Sequence, residues 1–190
     1  LASVQAGGRI LGMKLIIKIF SVLFGLWVVL VVVGLFLPGH YRVERTTVIA
    51  ASPAVIYPLV SDLRAWRKWG IWFARDPDMK ISYSPATTEV GAWSEWTSKS
   101  QGDGKMTISS THPSDFFRYQ MEFKDVGMVS LGGMRLTSID PTMTQVSMTM
   151  EGDLGRSPMY RWFGLFMNKL VGPDFEAGLA NLKRISEEKH

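Results

Sequence analysis

The sequence predicts an α+β domain behind a single apolar helix. Three observations predict it: an uncharged run near the N-terminus, a series of segments that alternate with the period of a strand, and helical signals confined to the two ends of that series.

The apolar run comes first. From Ile19 to Leu37 the chain reads IFSVLFGLWVVLVVVGLFL, with Ser21 as its one hydroxyl and Gly25 and Gly34 as its glycines. At a helical rise this stretch spans about 28 Å, close to the hydrocarbon thickness of a bilayer. Lys14 and Lys18 precede it and Pro38-Gly39 ends it. A core helix of this length carries a polar face, and a cleaved signal peptide has a shorter apolar core followed by small residues; this run has neither. Residues 14–38 are therefore expected to form an uncleaved transmembrane anchor, with residues 1–13 as a flexible leader and residues 39–190 as one domain. Arg9, Lys14 and Lys18 on the near side, against Arg42 and Arg45 beyond, favour an extracytoplasmic domain by the positive-inside rule.

Charge follows the same division. Arg9, Lys14 and Lys18 have no acidic counterpart before Pro38, so the +4 of the whole chain falls to +1 over residues 39–190. The domain carries no basic stripe, which argues against nucleic acid as a partner. Cysteine is absent, which fits either side of a membrane.

Beyond the anchor, Tyr41–Ile49 reads as a strand. Ser52-Pro53 is a helix start, an N-cap residue followed by proline at the first helical position. Short helices are expected over Ala54–Val60, kinked or cut short by Pro58, and over Asp62–Trp69, with Asp62 as a cap. Strands follow at Lys80–Ser84, Ala92–Thr97, Lys105–Thr111, Phe117–Lys124, Met128–Ile139 and around Val146–Met150. In the clearest, Phe117, Tyr119, Met121 and Phe123 share one face while Arg118, Gln120, Glu122 and Lys124 share the other. Turn residues separate them at Gln101–Gly104, His112–Asp115 and Asp140-Pro141. Gly102, Gly104, Gly132 and Gly133 are expected at turns or bulges. These runs describe an antiparallel meander of six or seven strands. Pro158–Leu170 then has aromatic residues at helical spacing. Gly172-Pro173 is expected to interrupt it, and a last helix from Asp174 to about Glu188 buries Phe175, Leu179, Leu182 and Ile185.

The residues at both ends of the domain resemble a known family. Ala51–Trp66 with Trp69, then Met150–Leu154 and Gly172–Lys183, are similar to the opening and close of the START-like superfamily, also called SRPBCC or polyketide cyclase/dehydrase-like, and in particular to its bacterial membrane-anchored members. That resemblance implies a helix-grip fold, a curved antiparallel sheet wrapped around the long C-terminal helix with an apolar cavity between them. It also implies a bacterial inner-membrane location.

Candidate cavity residues follow from the strand faces and the helix: Phe117, Tyr119, Met121, Phe123, Val146, Met148 and Met150 from the sheet, with Trp162, Phe163, Phe166 and Met167 closing it. Eleven Met and seven Trp in the chain suit an adaptable apolar pocket. An ordinary filled core has the same signature. No metal site is expected, since cysteine is absent and His40, His112 and His190 stand far apart; no cofactor motif is present. For acid–base chemistry the candidates are Glu95, a desolvated base of raised pKa if its face turns inward, and Tyr119, a phenol to orient a ligand.

Three functions follow. The first is a membrane-anchored binder of a lipid-, isoprenoid- or polyketide-like molecule. The second is a subunit of a larger membrane complex, docking through Trp27 and the anchor glycines and through Trp66, Trp69, Trp72 and Phe73. The third is a cyclase or dehydrase using Glu95 and Tyr119.

Overall fold

The structure, a computed structural model, describes residues 2–124 and 127–188, with side chains from Met13 onward except that of Leu15. Its elements in chain order are α1 (Ala2–Phe36), β1 (His40–Ile49), α2 (Pro53–Ser61), a 3-10 turn (Ala65–Lys68), α3 (Ile71–Arg75), β2 (Lys80–Tyr83), β3 (Trp93–Thr97), β4 (Gly104–His112), β5 (Phe116–Phe123), β6 (Met128–Asp140), β7 (Met143–Asp153) and α4 (Pro158–Glu187).

The seven strands form one antiparallel sheet in the order β1-β7-β6-β5-β4-β3-β2. Apart from β1, every strand pairs with its neighbours in sequence, as a meander requires. Register shifts at Ile108/Ser110 and at Ser138/Asp140 insert bulges, which bend strands and deepen the twist. The curved sheet presents its concave face to α4, and α4 lies most closely along β1. This is the helix-grip arrangement.

The alternation seen in the sequence sets the buried face. Phe117 and Tyr119 of β5, and Val146, Met148 and Met150 of β7, are all buried, and meet Phe175, Leu179 and Leu182 of α4. Trp66 and Trp69, 2 % and 1 % exposed, sit at the centre of this core rather than on a docking surface. Each indole donates to a backbone carbonyl of α2, Trp66 Nε1 to Val60 O at 2.8 Å and Trp69 Nε1 to Leu59 O at 2.9 Å. A large ring is thereby buried without stranding its polar atom.

Four expectations change. The backbone is helical from Ala2, so residues 2–13 join α1 instead of forming a flexible leader. The segment after Asp62 is a single 3-10 turn, with the Asp62 carboxylate accepting from the Arg64 N–H at 2.9 Å, and α3 follows as a separate element. Gly132 and Gly133 lie inside β6 and Gly104 starts β4, so these three are strand glycines.

The fourth concerns Pro173, which lies inside one continuous α4. Proline removes the N–H that would bond one turn back. The guanidinium of Arg45, from an inward position of β1, spans the weak point. It donates to Asn168 Oδ1 at 2.8 Å on one side and to Glu176 Oε1 at 2.5 Å on the other. The guanidinium lies in the place that a Cβ on Gly172 would occupy. A proline that ends an isolated helix is here carried by a tertiary brace.

Within α1, Ile16–Phe36 is long and apolar enough to cross a membrane, and it is almost wholly exposed. Length and composition fit a membrane span or a signal sequence. The C-terminal turns of α1 pack against the start of α4. Trp162 Nε1 donates to Leu30 O at 2.9 Å, and Arg161 Nη1 donates to Leu35 O at 2.8 Å and Leu37 O at 3.3 Å. Arg161 thus caps carbonyls that a helix end leaves unpaired and places its charge at the negative end of the dipole.

Candidate functional site

The core is solid against the last turns of α4 and hollow beside its middle. Where α3 and the middle of α4 face strands β2–β5, a cavity of about 240 Å³ remains. Short strands explain its place: β2 and β3 have only 4 and 5 residues, so the far side of the bowl is shallow and α3 covers it. Trp66 forms the floor, 5.4 Å edge-on from Tyr119 and 6.5 Å from the near-parallel ring of Trp72. Met106, Met121, Phe123 and Met150 line the sheet side, and Trp96 stands 6.3 Å edge-on from Phe123. Trp72 and Phe73 of α3, with Val171 and Phe175 of α4, close the remaining side.

Polar groups in the lining are few: Ser94, Gln101, Tyr83, Tyr119 and Asp174. Asp174 is bound from α3 by a forked pair of contacts, Arg75 Nη2 to Oδ1 at 2.6 Å and Arg75 Nη1 to Oδ2 at 2.9 Å. This pair ties the short helix to the long one beside the cavity. Burial pushes the phenols of Tyr83 and Tyr119 above the ordinary tyrosine range, so both keep their protons further into the alkaline range than a free tyrosine does. The Tyr83 hydroxyl oxygen is buried, with the Arg67 guanidinium near it and the Arg64 guanidinium over its ring at 5.5 Å.

Of the residues expected to line a cavity, Tyr119, Met121, Phe123 and Met150 do so. Phe117, Val146 and Met148 face the same way but fill the solid part of the core. Trp162, Phe163, Phe166 and Met167 do not line it. They lie on the first half of α4, where Trp162 turns to α1, Phe163 and Phe166 are 60 % and 53 % exposed, and Met167 is half-buried against the solid core. Helical spacing identified a shared face there, but spacing does not say what that face meets.

Glu95 also requires correction as a base of raised pKa. On β3 the inward residues are Ser94 and Trp96, so Glu95 shares the outer face with Trp93 and pairs with Lys124. That ion pair holds its carboxyl below the usual range, the reverse of what a desolvated base requires.

The sequence reading missed the contribution of α3 and of Ile81, Tyr83 and Met106. The alternation of β4, with Met106 and Ile108 inward, was a usable signal; the packing of α3 on the sheet had none. Among the described residues no group of histidine and carboxylate side chains is placed to hold a metal ion. His112 is exposed at the end of β4, stacked on Phe116, and His190 lies outside the described residues.

Comparison with known proteins agrees with this geometry. Residues 40–187 match the family described as polyketide cyclase / dehydrase and lipid transport. No curated protein matches the chain. Among solved structures, a protein of unknown function from Staphylococcus aureus superposes with a TM-score of 0.62 at 12% identity, covering 79% of this chain and 95% of its own. Norcoclaurine synthase from Thalictrum flavum, in complex with dopamine and hydroxybenzaldehyde, gives 0.59 at 14% identity over 80% of this chain and 88% of its own. A Chromobacterium violaceum protein gives 0.55 at 18% identity over 79% and 99%. At these identities the likeness is one of fold. The match over residues 40–187 places this chain in the polyketide cyclase / dehydrase and lipid transport family.

Proposed function

We propose that this chain is a membrane-tethered binding domain that holds a small hydrophobic molecule in the cavity between α3, α4 and strands β2–β5. In this reading residues 14–38 anchor it in a bacterial inner membrane with the domain, 39–190, on the extracytoplasmic side. The observation that carries the reading is the cavity itself, an unfilled space lined by aromatic and methionine side chains with a few polar groups at intervals. Such a lining excludes water and gives an apolar ligand orientation through a handful of hydrogen bonds. Methionine at four of the lining positions lets the space adapt to shape.

Size restricts the ligand. A cavity of about 150 Å³ takes a benzene ring, so about 240 Å³ accommodates one or two rings or a short alkyl segment. A larger lipid, isoprenoid or polyketide would enter by one end only. Tyr83, Ser94 and Gln101 offer hydroxyl and amide groups to a carbonyl or hydroxyl on that end.

Mass spectrometry of the full chain, released intact from mild detergent, tests this directly. The expected result is a co-purifying small molecule at one per chain, lost in Met106→Trp, which fills the space. Titration of the same two proteins with 1-N-phenylnaphthylamine is the companion measurement. Saturable one-to-one binding by the parent and none by Met106→Trp supports the reading. If the two proteins take up the probe equally, the cavity is not a ligand site.

A further inference from the structure

The first half of α4 is unusually apolar for the surface of a folded domain. Met159, Phe163, Phe166 and Leu170 follow i, i+4, i+7, i+11 spacing and so form one stripe. Each is between 52 % and 60 % exposed, and Tyr160 beside them is 52 % exposed. A stripe of four large apolar residues open on one face marks a surface that something apolar covers.

Its position relative to α1 identifies what covers it. Trp162 is bonded to Leu30 O, and a Cβ on Gly34 would lie 2.8 Å from Pro158 O, so the first turn of α4 begins beside the last turns of α1. Leu30 precedes the end of α1 by six residues, about 9 Å along the helix axis. If Ile16–Phe36 crosses a bilayer, Trp162 lies about 9 Å below the level of Phe36, within the depth of roughly 5–10 Å at which an interfacial helix buries its apolar face. The stripe adjoins the face that carries Trp162, so it is continuous with the lipid-facing surface of α1. Arg156 just precedes the helix and Lys169 lies about a quarter-turn round from the stripe, as suits the headgroup level of an anionic membrane.

We infer that the first half of α4, Pro158–Leu170, is an interfacial helix seated in the same leaflet as the C-terminal end of the anchor, so that the domain docks on the lipid surface through α4. The inference rests on the membrane-anchor reading of α1. It gives that reading a consequence for the cavity: Val171, Asp174 and Phe175, which line it, follow Leu170 within about two turns of the same helix. The cavity therefore stays within about 18 Å, along α4, of Phe163, and an apolar ligand has a short route from the bilayer.

The chain has no cysteine, so single substitutions can each be spin-labelled specifically. The full chain is reconstituted in vesicles of phosphatidylethanolamine and phosphatidylglycerol, with labels at Phe163→Cys, Phe166→Cys, the exposed Ala180→Cys and the anchor position Val29→Cys. Collision rates with oxygen, which partitions into lipid, are compared with those of a water-soluble nickel chelate. The expected result is an oxygen-to-nickel ratio at 163 and 166 higher than at 180, on the order of fivefold, and approaching that at 29. Ratios at 163 and 166 equal to that at 180, with 29 lipid-like, overturn the inference and leave the anchor standing. Shielding of 163 and 166 from both reagents assigns the stripe to a second copy or a protein partner and overturns it as well. A water-like ratio at 29 removes the anchor reading itself.

Discussion

The ring of Tyr119 occupies the space that a side chain on Gly132 would fill. The two residues are paired across β5 and β6, and a Cβ built on Gly132 would overlap the Tyr119 ring and hydroxyl. The same relation recurs between Trp96 and Gly104, two paired residues of β3 and β4. In both cases a bare strand position lets a large ring lie flat against the sheet, with the rest of that ring facing the cavity. Gly132→Ala is expected to destabilise the domain by roughly 1–3 kcal/mol, because the ring must lift off the sheet and give up its packing on Trp66 and Phe117. Thermal unfolding of the purified chain checks this; a fall in Tm of about 3–10 °C is expected, and an unchanged Tm would show that the ring has room to move.

Arg45 braces α4 across Pro173, and its loss is expected to loosen the helix from Asn168 to Glu176. Arg45→Ala should speed hydrogen exchange there and lower stability by about 1–3 kcal/mol, the range for losing charged hydrogen bonds at a partly buried site. Adding Pro173→Ala should recover part of the loss, since the helix then makes its own bond. Exchange rates indifferent to Arg45 would mean that α4 needs no brace.

The buried phenols predict the alkaline limit of stability. Tyr119 and Tyr83 have folded pKa values above the unfolded value near 10, so the folded state holds their protons more tightly. Their contribution is complete below pH 10 and is lost as pH rises above it, by up to about 1.4 kcal/mol per pH unit for each group. Tyr119→Phe is expected to flatten the slope of stability between pH 10 and 11. A slope identical to that of the parent would show that the Tyr119 hydroxyl is not desolvated.

The Arg75–Asp174 pair joins α3 to α4 where both line the cavity. Arg75→Ala is expected to raise the dissociation rate of a bound apolar probe several-fold, by about 1 kcal/mol of lost tether. Glu95→Gln is its control, because Glu95 lies on the outer face with Lys124; probe affinity should stay within about twofold of the parent. Stopped-flow fluorescence of the two variants separates the effects. Loss of probe affinity in Glu95→Gln would mean that β3 presents its other face to the ligand.

By itself, the sequence determined the element types and their order. Alternation in Phe117–Phe123 and Val146–Met150 carries its period whatever surrounds it, and a strand's period leaves only two faces from which to choose. The run from Ile19 to Leu37 is likewise a statement of length and apolarity, both readable residue by residue.

Tertiary structure decided which apolar faces met each other. Phe163 and Phe166, three apart, share a helical face just as Phe175 and Leu179, four apart, do, yet one pair lies in the open and the other in the core, because the buried core lies against the second half of α4. Pro173 reads as a break until Arg45, 128 residues earlier, is brought against Asn168 and Glu176. The hollow beside Trp66 arises where two short strands and α3 fail to fill a bowl, a mismatch of volumes among segments far apart in the chain. Local pattern encodes what a segment can bury; only the assembled fold sets how much space is left between segments.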